Sequence, residues 1–449
     1  MTAVLPPASR TKNSVSSVSA YPPVLLAFVM WGMAVAFYLF GFFHRVTPAV
    51  LTSELMRDFS LTAAMLGNLS AFYFYFYAGM QIPTGVLVDR YGPRKILAAG
   101  ALIGGIGALL FAFADTFASS AIGRGLIGGT VAVAWVSLLK LSTNWFDSRR
   151  LGMVTGMALA IGTMGAVLAG LPLRALADAY GWRNVIGASG ILVLLLSLAI
   201  FLLMRDDPSD SGYRSHAGMA PPAAQPSFIE ILKGMAEIWR YRNVALLFWA
   251  QSGLCGAFLT FAGLWGVPFF VQQHGLTAKS ASLITSGMLI AFSCGGVLLG
   301  MLSDRLRRRK APFVLGGVLV VLGFGALYVA PDAPLTMLVT LLLLGGFGSG
   351  AMVIAFLHAK ESVPVRLSGT VAGAVNTGVM AGPLVQQPAV GWILDRYWAG
   401  AIDGGIRVYD VLAYKLAFAF LFIWVITAFI ALLLTRESHC SQYREQAKE

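Results

Sequence analysis

The sequence predicts an all-α membrane protein: twelve transmembrane helices in two pseudo-symmetric six-helix bundles. Three observations carry this. Of 449 residues, 57% are hydrophobic and only 12% charged, against about 25% charged in an ordinary soluble protein. Twelve stretches are apolar and long enough to cross a bilayer, which takes roughly 20 residues each. The second half of the chain also repeats short elements of the first at a nearly constant offset. Helices follow from the solvent, because hydrocarbon offers no partner to a backbone amide and a helix satisfies its own.

In order, the spans are expected at 24–51, 62–88, 95–114, 117–142, 152–173 and 184–204, then at 244–271, 280–302, 311–330, 334–358, 368–392 and 411–435. Residues 1–23 form an N-terminal tail. The first apolar stretch is too long for a signal-peptide core, so it reads as a retained span. After Met204 stands RDDPSDSGYRSHAGMAPPAAQP, rich in Pro, Ser, Gly and Asp, the composition of a flexible linker. The linker is assigned to 205–242 and divides a bundle at 24–204 from a bundle at 243–435, with a second tail at 436–449. Within it, Phe228, Ile231, Leu232, Met235 and Trp239 share one helical face, while Glu230, Lys233, Glu237 and Arg240 fall elsewhere. That pattern predicts an amphipathic helix on the cytoplasmic surface; the alternative is a simple extension of the seventh span.

The net charge of +12 has a distribution that speaks against a nucleic-acid partner. With both termini on one side, that side holds twenty-one Lys and Arg and the opposite loops hold seven. This bias places both termini in the cytoplasm. Cys255, Cys294 and Cys440 form no disulfide framework, and the five histidines have no metal-ligand spacing. Gly123 to Gly128 matches G-x-G-x-x-G inside an apolar span with no preceding strand, so it is not a dinucleotide site. There is no G-K-[ST] phosphate loop, nucleophile elbow or pair of catalytic carboxylates. No enzyme, cofactor or metal is expected.

The repeat is specific. GVLVDRYGPRK, Gly85 to Lys95, follows the second span, and GMLSDRLRRRK, Gly300 to Lys310, follows the eighth at an offset of 215. Pro172 maps to Pro388 at 216, and Gly152 and Gly156 map to Gly369 and Gly373 at 217, with Asp178 and Asp395 close to register. Gly85, Asp89, Arg90, Gly92, Arg94 and Lys95 resemble the signature loop of the major facilitator superfamily. The second copy keeps Gly300, Asp304 and Arg305 but has Arg307 in place of the second glycine. RGLIGG from Arg124, WFDSRRLGMVTG and Gly181-Trp182-Arg183 are similar to further landmarks of that family.

The resemblance implies a secondary transporter with its substrate site between the halves. It also implies gating roles for Asp89, Arg90, Arg94, Asp304 and Arg305. In that architecture Asp89 faces the start of the eleventh helix near Ser368 and Gly369, and Asp304 faces the start of the fifth near Leu151, each as a carboxylate at a helix N-terminus. The alternative is that these loops only set topology through their cations.

Arg45 interrupts the first apolar span. A cation at the centre of a membrane helix costs at least ~3 kcal/mol on insertion scales, and no Asp or Glu lies deep in any span to pair with it. Heptad steps from Trp31 through Tyr38 and Arg45 to Thr52 collect polar and aromatic groups on one stripe. Comparable stripes carry Tyr73 and Tyr77 on the second span, Gln251 on the seventh, and Asn376 and Gln387 on the eleventh. The resemblance places these four helices around a central cavity. Arg45, Tyr38, Tyr73, Tyr77, Gln251, Asn376, Gln387 and Arg124 are therefore the candidate substrate-binding residues. Arginine's planar fork suits a carboxylate, and the first-span position is similar to that of organic-anion and organophosphate carriers. The anion:cation symporters have Asp-Arg where this chain has His44-Arg45. The organophosphate antiporters use a second arginine in the seventh helix, where this chain has neither Arg nor Lys from Val244 to Val271.

The expected function is transport of a small organic anion across a bacterial inner membrane, by a monomer and with proton coupling through Glu361, His358 or His44. A zwitterionic amino acid, a siderophore or a drug are alternative cargoes, and a transporter-fold sensor or accessory subunit is the alternative from another class. For Arg45 itself, the alternative is a bond to helix-end carbonyls or water at the outer interface.

Overall fold

The computed structural model describes residues 20–216 and 228–443. Its membrane helices, numbered by span, are α1 Val24–Val50, α2 Ala63–Tyr91, α3 Pro93–Ala112, α4 Phe117–Trp145, α5 Leu151–Tyr180, α6 Trp182–Leu203, α7 Arg242–His274, α8 Ala278–Leu306, α9 Lys310–Val329, α10 Leu335–Glu361, α11 Ser368–Arg396 and α12 Val411–Leu433. Ten are apolar enough to be recognised as spans by composition. The other two, α2 and α11, are 29 residues each and owe their lower apolarity to Tyr, Asn and Gln side chains and to glycines. They pack against each other.

The repeat is visible in the backbone. Thr62 and Thr277 each cap the second helix of their half by accepting from the amide three residues on, one of the orphan donors at a helix start. Gly92 has φ +83°, and Arg307, at the equivalent place, has φ +49°. The loop therefore demands a positive φ in both halves, and in the second an arginine takes it. A left-handed non-glycine residue costs about 1–2 kcal/mol, so Arg307→Gly is expected to raise the thermal midpoint of the purified protein. A lower midpoint would show that Arg307 makes compensating contacts.

Acids after the last helix of each half cap its third helix. Asp206 Oδ1 accepts from the Arg94 amide at 2.6 Å, and Glu437 accepts from the amides of Arg309 at 2.7 Å and Lys310 at 3.0 Å. Burial pushes the Asp206 carboxyl above the usual carboxylate range. For Glu437 burial acts in the same sense, but three backbone amides outweigh it and hold its carboxyl below that range.

Three spans are interrupted. α5 pauses at Ala169 and Gly170, α7 contains a π turn at Phe261–Trp265, and α10 breaks at Gly350 and Ala351. Glycine contacts let helices touch directly: a Cβ on Gly256 would lie 2.6 Å from Gly382 Cα, joining α7 to α11. A helix spans Phe228–Glu237. Residues 217–227, and the side chains of Phe228, Glu230, Ile231 and Leu232, lie outside the described residues, as do 1–19 and 444–449. The helix is not a plain extension of α7, because Ile238–Arg240 and Tyr241 separate the two. It is tied to the start of α11, where Arg366 Nη1 donates to Glu237 at 2.8 Å.

Candidate binding site between the two halves

The two ends of the molecule differ. At the end away from the termini the halves are sealed. A Cβ on Gly67 of α2 would lie 2.4 Å from the Gln387 carbonyl of α11, one on Gly391 would lie 2.2 Å from the Ala63 carbonyl, and one on Gly170 of α5 would meet Ser286 of α8. α1 packs against the π turn of α7. Asp395, at the end of α11, closes this side across the halves: it accepts from the amides of Ala63 at 3.1 Å and Ala64 at 2.8 Å, at the start of α2. Tyr409 donates to it at 2.8 Å and Arg407 at 3.1 Å. Burial and this bond to Asp395 push the Tyr409 hydroxyl up.

At the end carrying the termini, the repeated glycines of the same four helices meet nothing. A Cβ on Gly85, Gly152, Gly156, Gly300, Gly369 or Gly373 would have no atom within 4 Å. Here the acids expected to gate the site have partners in their own halves. Asp89 pairs with Lys140 at 2.7 Å. Asp304 pairs with Arg309 at 2.6 Å. Arg94 donates to the Phe201 carbonyl through Nη2 at 2.5 Å, Arg90 lies 5.4 Å from the Tyr91 ring centre, and Arg305 closes the last turn of α8.

Arg45 lies near the middle of the first half's core, among aromatic rings of α1 and α2. It is 7% exposed, and its guanidinium lies 4.3 Å from the centre of the Phe42 ring and 5.5 and 5.6 Å from those of Tyr73 and Tyr77. Nε donates to the Tyr73 hydroxyl at 3.3 Å, which in turn donates to the Gly41 carbonyl at 3.3 Å. Tyr73 and Tyr77 stack at 6.2 Å, and Asn376 Nδ2 of α11 donates to the Tyr77 hydroxyl at 3.3 Å, bridging the halves. Tyr38 packs on Phe42, on Trp135 of α4 and on Gly162 of α5. Among the described residues no carboxylate pairs with Arg45.

Arg124 occupies a different environment. It is fully buried, and its Nη atoms donate to the carbonyls of His44 at 2.5 Å and Ser70 at 3.4 Å. The reason lies in α1. Pro48 sits inside that helix and has no N–H for the carbonyl four residues back, which is that of His44. Arg124 supplies the missing donor. Arg124→Leu is expected to cost ~3 kcal/mol through the orphaned carbonyl and the cavity left behind. Adding Pro48→Ala, which restores a backbone donor, is expected to recover part of the loss in thermal midpoint. Equal midpoints for the single and double variants would contradict this.

The amides of the second half are buried deeper than the stripes suggest. Gln251 donates to the Met352 carbonyl at 3.4 Å, inside the α7–α10 contact, and its Oε1 is unpaired. Gln387 is fully buried at the sealed end, close to Gly263 of the π turn, with neither Oε1 nor Nε2 partnered. Its neighbour Gln386 accepts from Thr260 at 3.0 Å and donates to the Ser252 carbonyl at 3.1 Å. The three residues expected to carry a proton are engaged away from the cleft. His44 meets Ser189 of α6 at 3.3 Å, His358 lies 2.8 Å from the Arg436 carbonyl, and Glu361 binds Arg309 at 2.9 Å and Ser438 at 2.5 Å. Sequence reasoning did not single out Phe42, Trp135, Arg407 or Tyr409. It noted Asp395 only as a repeat of Asp178, where the rule applied to Asp89, an acid at a helix start, would have given it a role.

The sequence profile of the Major Facilitator Superfamily matches residues 24–384 and 253–449. The chain belongs to the major facilitator superfamily. Within the superfamily it is similar to a probable sulfoacetate transporter, SauU, of Cupriavidus necator, with 25% identity over 87% of this chain and 92% of that one. It is also similar to a probable galactarate/D-glucarate transporter, GarP, of Escherichia coli, at 22% identity over 78% and 84%. A D-galactonate transporter of E. coli is 24% identical over 79% and 86%. Two solved superfamily structures share the fold. One is a bacterial homologue of the human lysosomal transporter Spinster in an inward-facing, unoccupied conformation, with TM-score 0.66, 19% identity and coverage of 92% and 98%. The other is the nucleoside transporter NupG, with TM-score 0.67, 15% identity and coverage of 91% and 99%.

Proposed function

We propose that this protein is a secondary carrier of small organic anions, carboxylates foremost, that works by alternating access as a monomer in a bacterial inner membrane with both termini in the cytoplasm. The observation that carries the reading is the Arg45 guanidinium: nearly buried, wrapped by aromatic rings, and without an acidic partner among the described residues. A buried cation is costly unless paired, and an anion entering the open cleft supplies the pair. The Nε bond to Tyr73 leaves the two Nη groups for a two-pronged grip on a carboxylate. Tyr38, Tyr77 and Asn376 shape the surroundings, and Gln251 and Gln387 lie deeper in the second half. The relatives named for sulfoacetate, glucarate and galactonate all carry anions by name.

In this orientation the open end faces the cytoplasm, so the conformation is inward-facing. As the halves rock, Asp89 exchanges Lys140 for the start of α11, and Asp304 exchanges Arg309 for the start of α5, while the Asp395 latch opens. The engagement of Glu361, His358 and His44 away from the cleft favours anion exchange over proton entry through these groups. Counterflow in proteoliposomes tests the reading. Preloaded anion is expected to drive accumulation of radiolabelled D-galactonate at equal pH on both sides. Binding without movement of label would instead identify a sensor.

A further inference from the structure

We propose that the cleft selects anions carrying one negative charge and a neutral hydrogen-bonding remainder, and discriminates against dianions of the same size. This rests on the anion-carrier reading and sharpens it.

The argument is an accounting of cations. Among the described residues, Arg45 is the buried arginine that bonds to the protein through Nε alone, on Tyr73. Arg124, the other arginine deep in the first half, lies 5.3 Å from the Tyr73 ring centre but is fully buried, with both Nη groups on backbone carbonyls and Nε unpartnered, so a ligand in the cleft meets its charge only at a distance and makes no bond to it. Lys140 lies at the terminus-bearing end with Asp89 at 2.7 Å. Arg309 is held by Asp304 and Glu361, and Arg174 by Glu54 and Asp178. On the second half, α7 contributes neither Arg nor Lys between Val244 and Val271, and α11 none between Ser368 and Leu394.

What the second half offers instead is amides. Asn376 reaches across to Tyr77 and is itself only half-buried. Gln387 also keeps both amide atoms unpaired, but it is fully buried at the sealed end beside Gly263, so Asn376 is the amide placed to meet a ligand. An amide donates and accepts equally, which matches hydroxyls rather than a second carboxylate. A site built to hydrogen-bond hydroxyls also rejects analogues that lack them, because its polar groups are then left unpaired. A second anionic group would lose its hydration against neutral amides and aromatic rings, with no cation to compensate.

The test uses the full chain in proteoliposomes with D-gluconate and D-glucarate. These share a polyhydroxylated skeleton and differ at one end, where glucarate has a second carboxylate. In counterflow of radiolabelled D-gluconate, unlabelled D-glucarate and sulfoacetate are expected to compete at least about tenfold more weakly than D-gluconate. Equal or better competition by glucarate, or exchange of labelled glucarate or sulfoacetate without gluconate, overturns the proposal and leaves the carrier reading standing. Absence of exchange with every anion overturns both. Asn376→Arg places a second cation against the cleft and is expected to narrow the gluconate-to-glucarate ratio. An unchanged ratio in a variant that still exchanges gluconate overturns the argument from charge.

Discussion

Arg45→Gln is expected to abolish anion exchange while leaving the protein folded and at least as stable as the parent. Bonds to a charged group are worth about 1.5–3 kcal/mol, so loss of the guanidinium should weaken binding on the order of 100-fold. Stability should hold because Arg45 has no acidic partner to orphan, and Tyr73 keeps the Gly41 carbonyl. Removing an unpaired cation from a low-dielectric site relieves a cost. Arg45→Lys keeps the charge but loses the planar fork, and is expected to retain only a small fraction of exchange. The contrast with Arg124 is the informative part. Both are arginines deep in apolar helices, yet one variant should be stable and inactive and the other unstable. Thermal midpoint and counterflow measured on the same preparations separate them. Normal exchange by Arg45→Gln would remove Arg45 from the site.

Asp395→Ala is expected to shift the conformational balance toward opening at the end away from the termini. The side chain is the hub of that seal, receiving two amides from α2 together with Tyr409 and Arg407. A carboxylate at a helix start contributes about 0.3–1 kcal/mol when exposed and up to ~2 when partly buried. The upper figure applies here, since the Asp395 side chain is only 16% exposed. About 2 kcal/mol corresponds to roughly a 30-fold change in the ratio of the two states. Spin labels at Arg57→Cys and Lys279→Cys, exposed positions of opposite halves at that end, would report it, with Cys294 and Cys440 replaced. The variant should add a population at longer distance. An unchanged distance distribution would show that close backbone packing alone, of the kind seen between Gly67 and Gln387, holds the seal.

Much of the architecture was legible because it is written in local pattern. Apolar length gives the spans, and the repeat at an offset of 215 predicts that Arg307 stands where the first half uses Gly92; both turn out to have positive φ. The polar stripes on α2 and α11, read as lining a central cavity, lie on two helices that meet each other. Two things were not legible. Contacts such as Ala63 to Asp395 join residues 332 positions apart, and no periodicity records them. Arg45 and Arg124 also look alike in sequence, and only the placement of His44 against Arg124 shows that Pro48 had created a vacancy for one of them. The conformational state is a third matter. A sequence carries no sign of which end is open.

The central claim is that an anion completes Arg45. A structure of the protein with a bound carboxylate tests it most directly. The account predicts both carboxylate oxygens within about 2.7–2.9 Å of the Arg45 Nη atoms, with Nε still on Tyr73. A bound anion seated away from Arg45, or Arg45 paired with an acidic side chain of the protein, would contradict it.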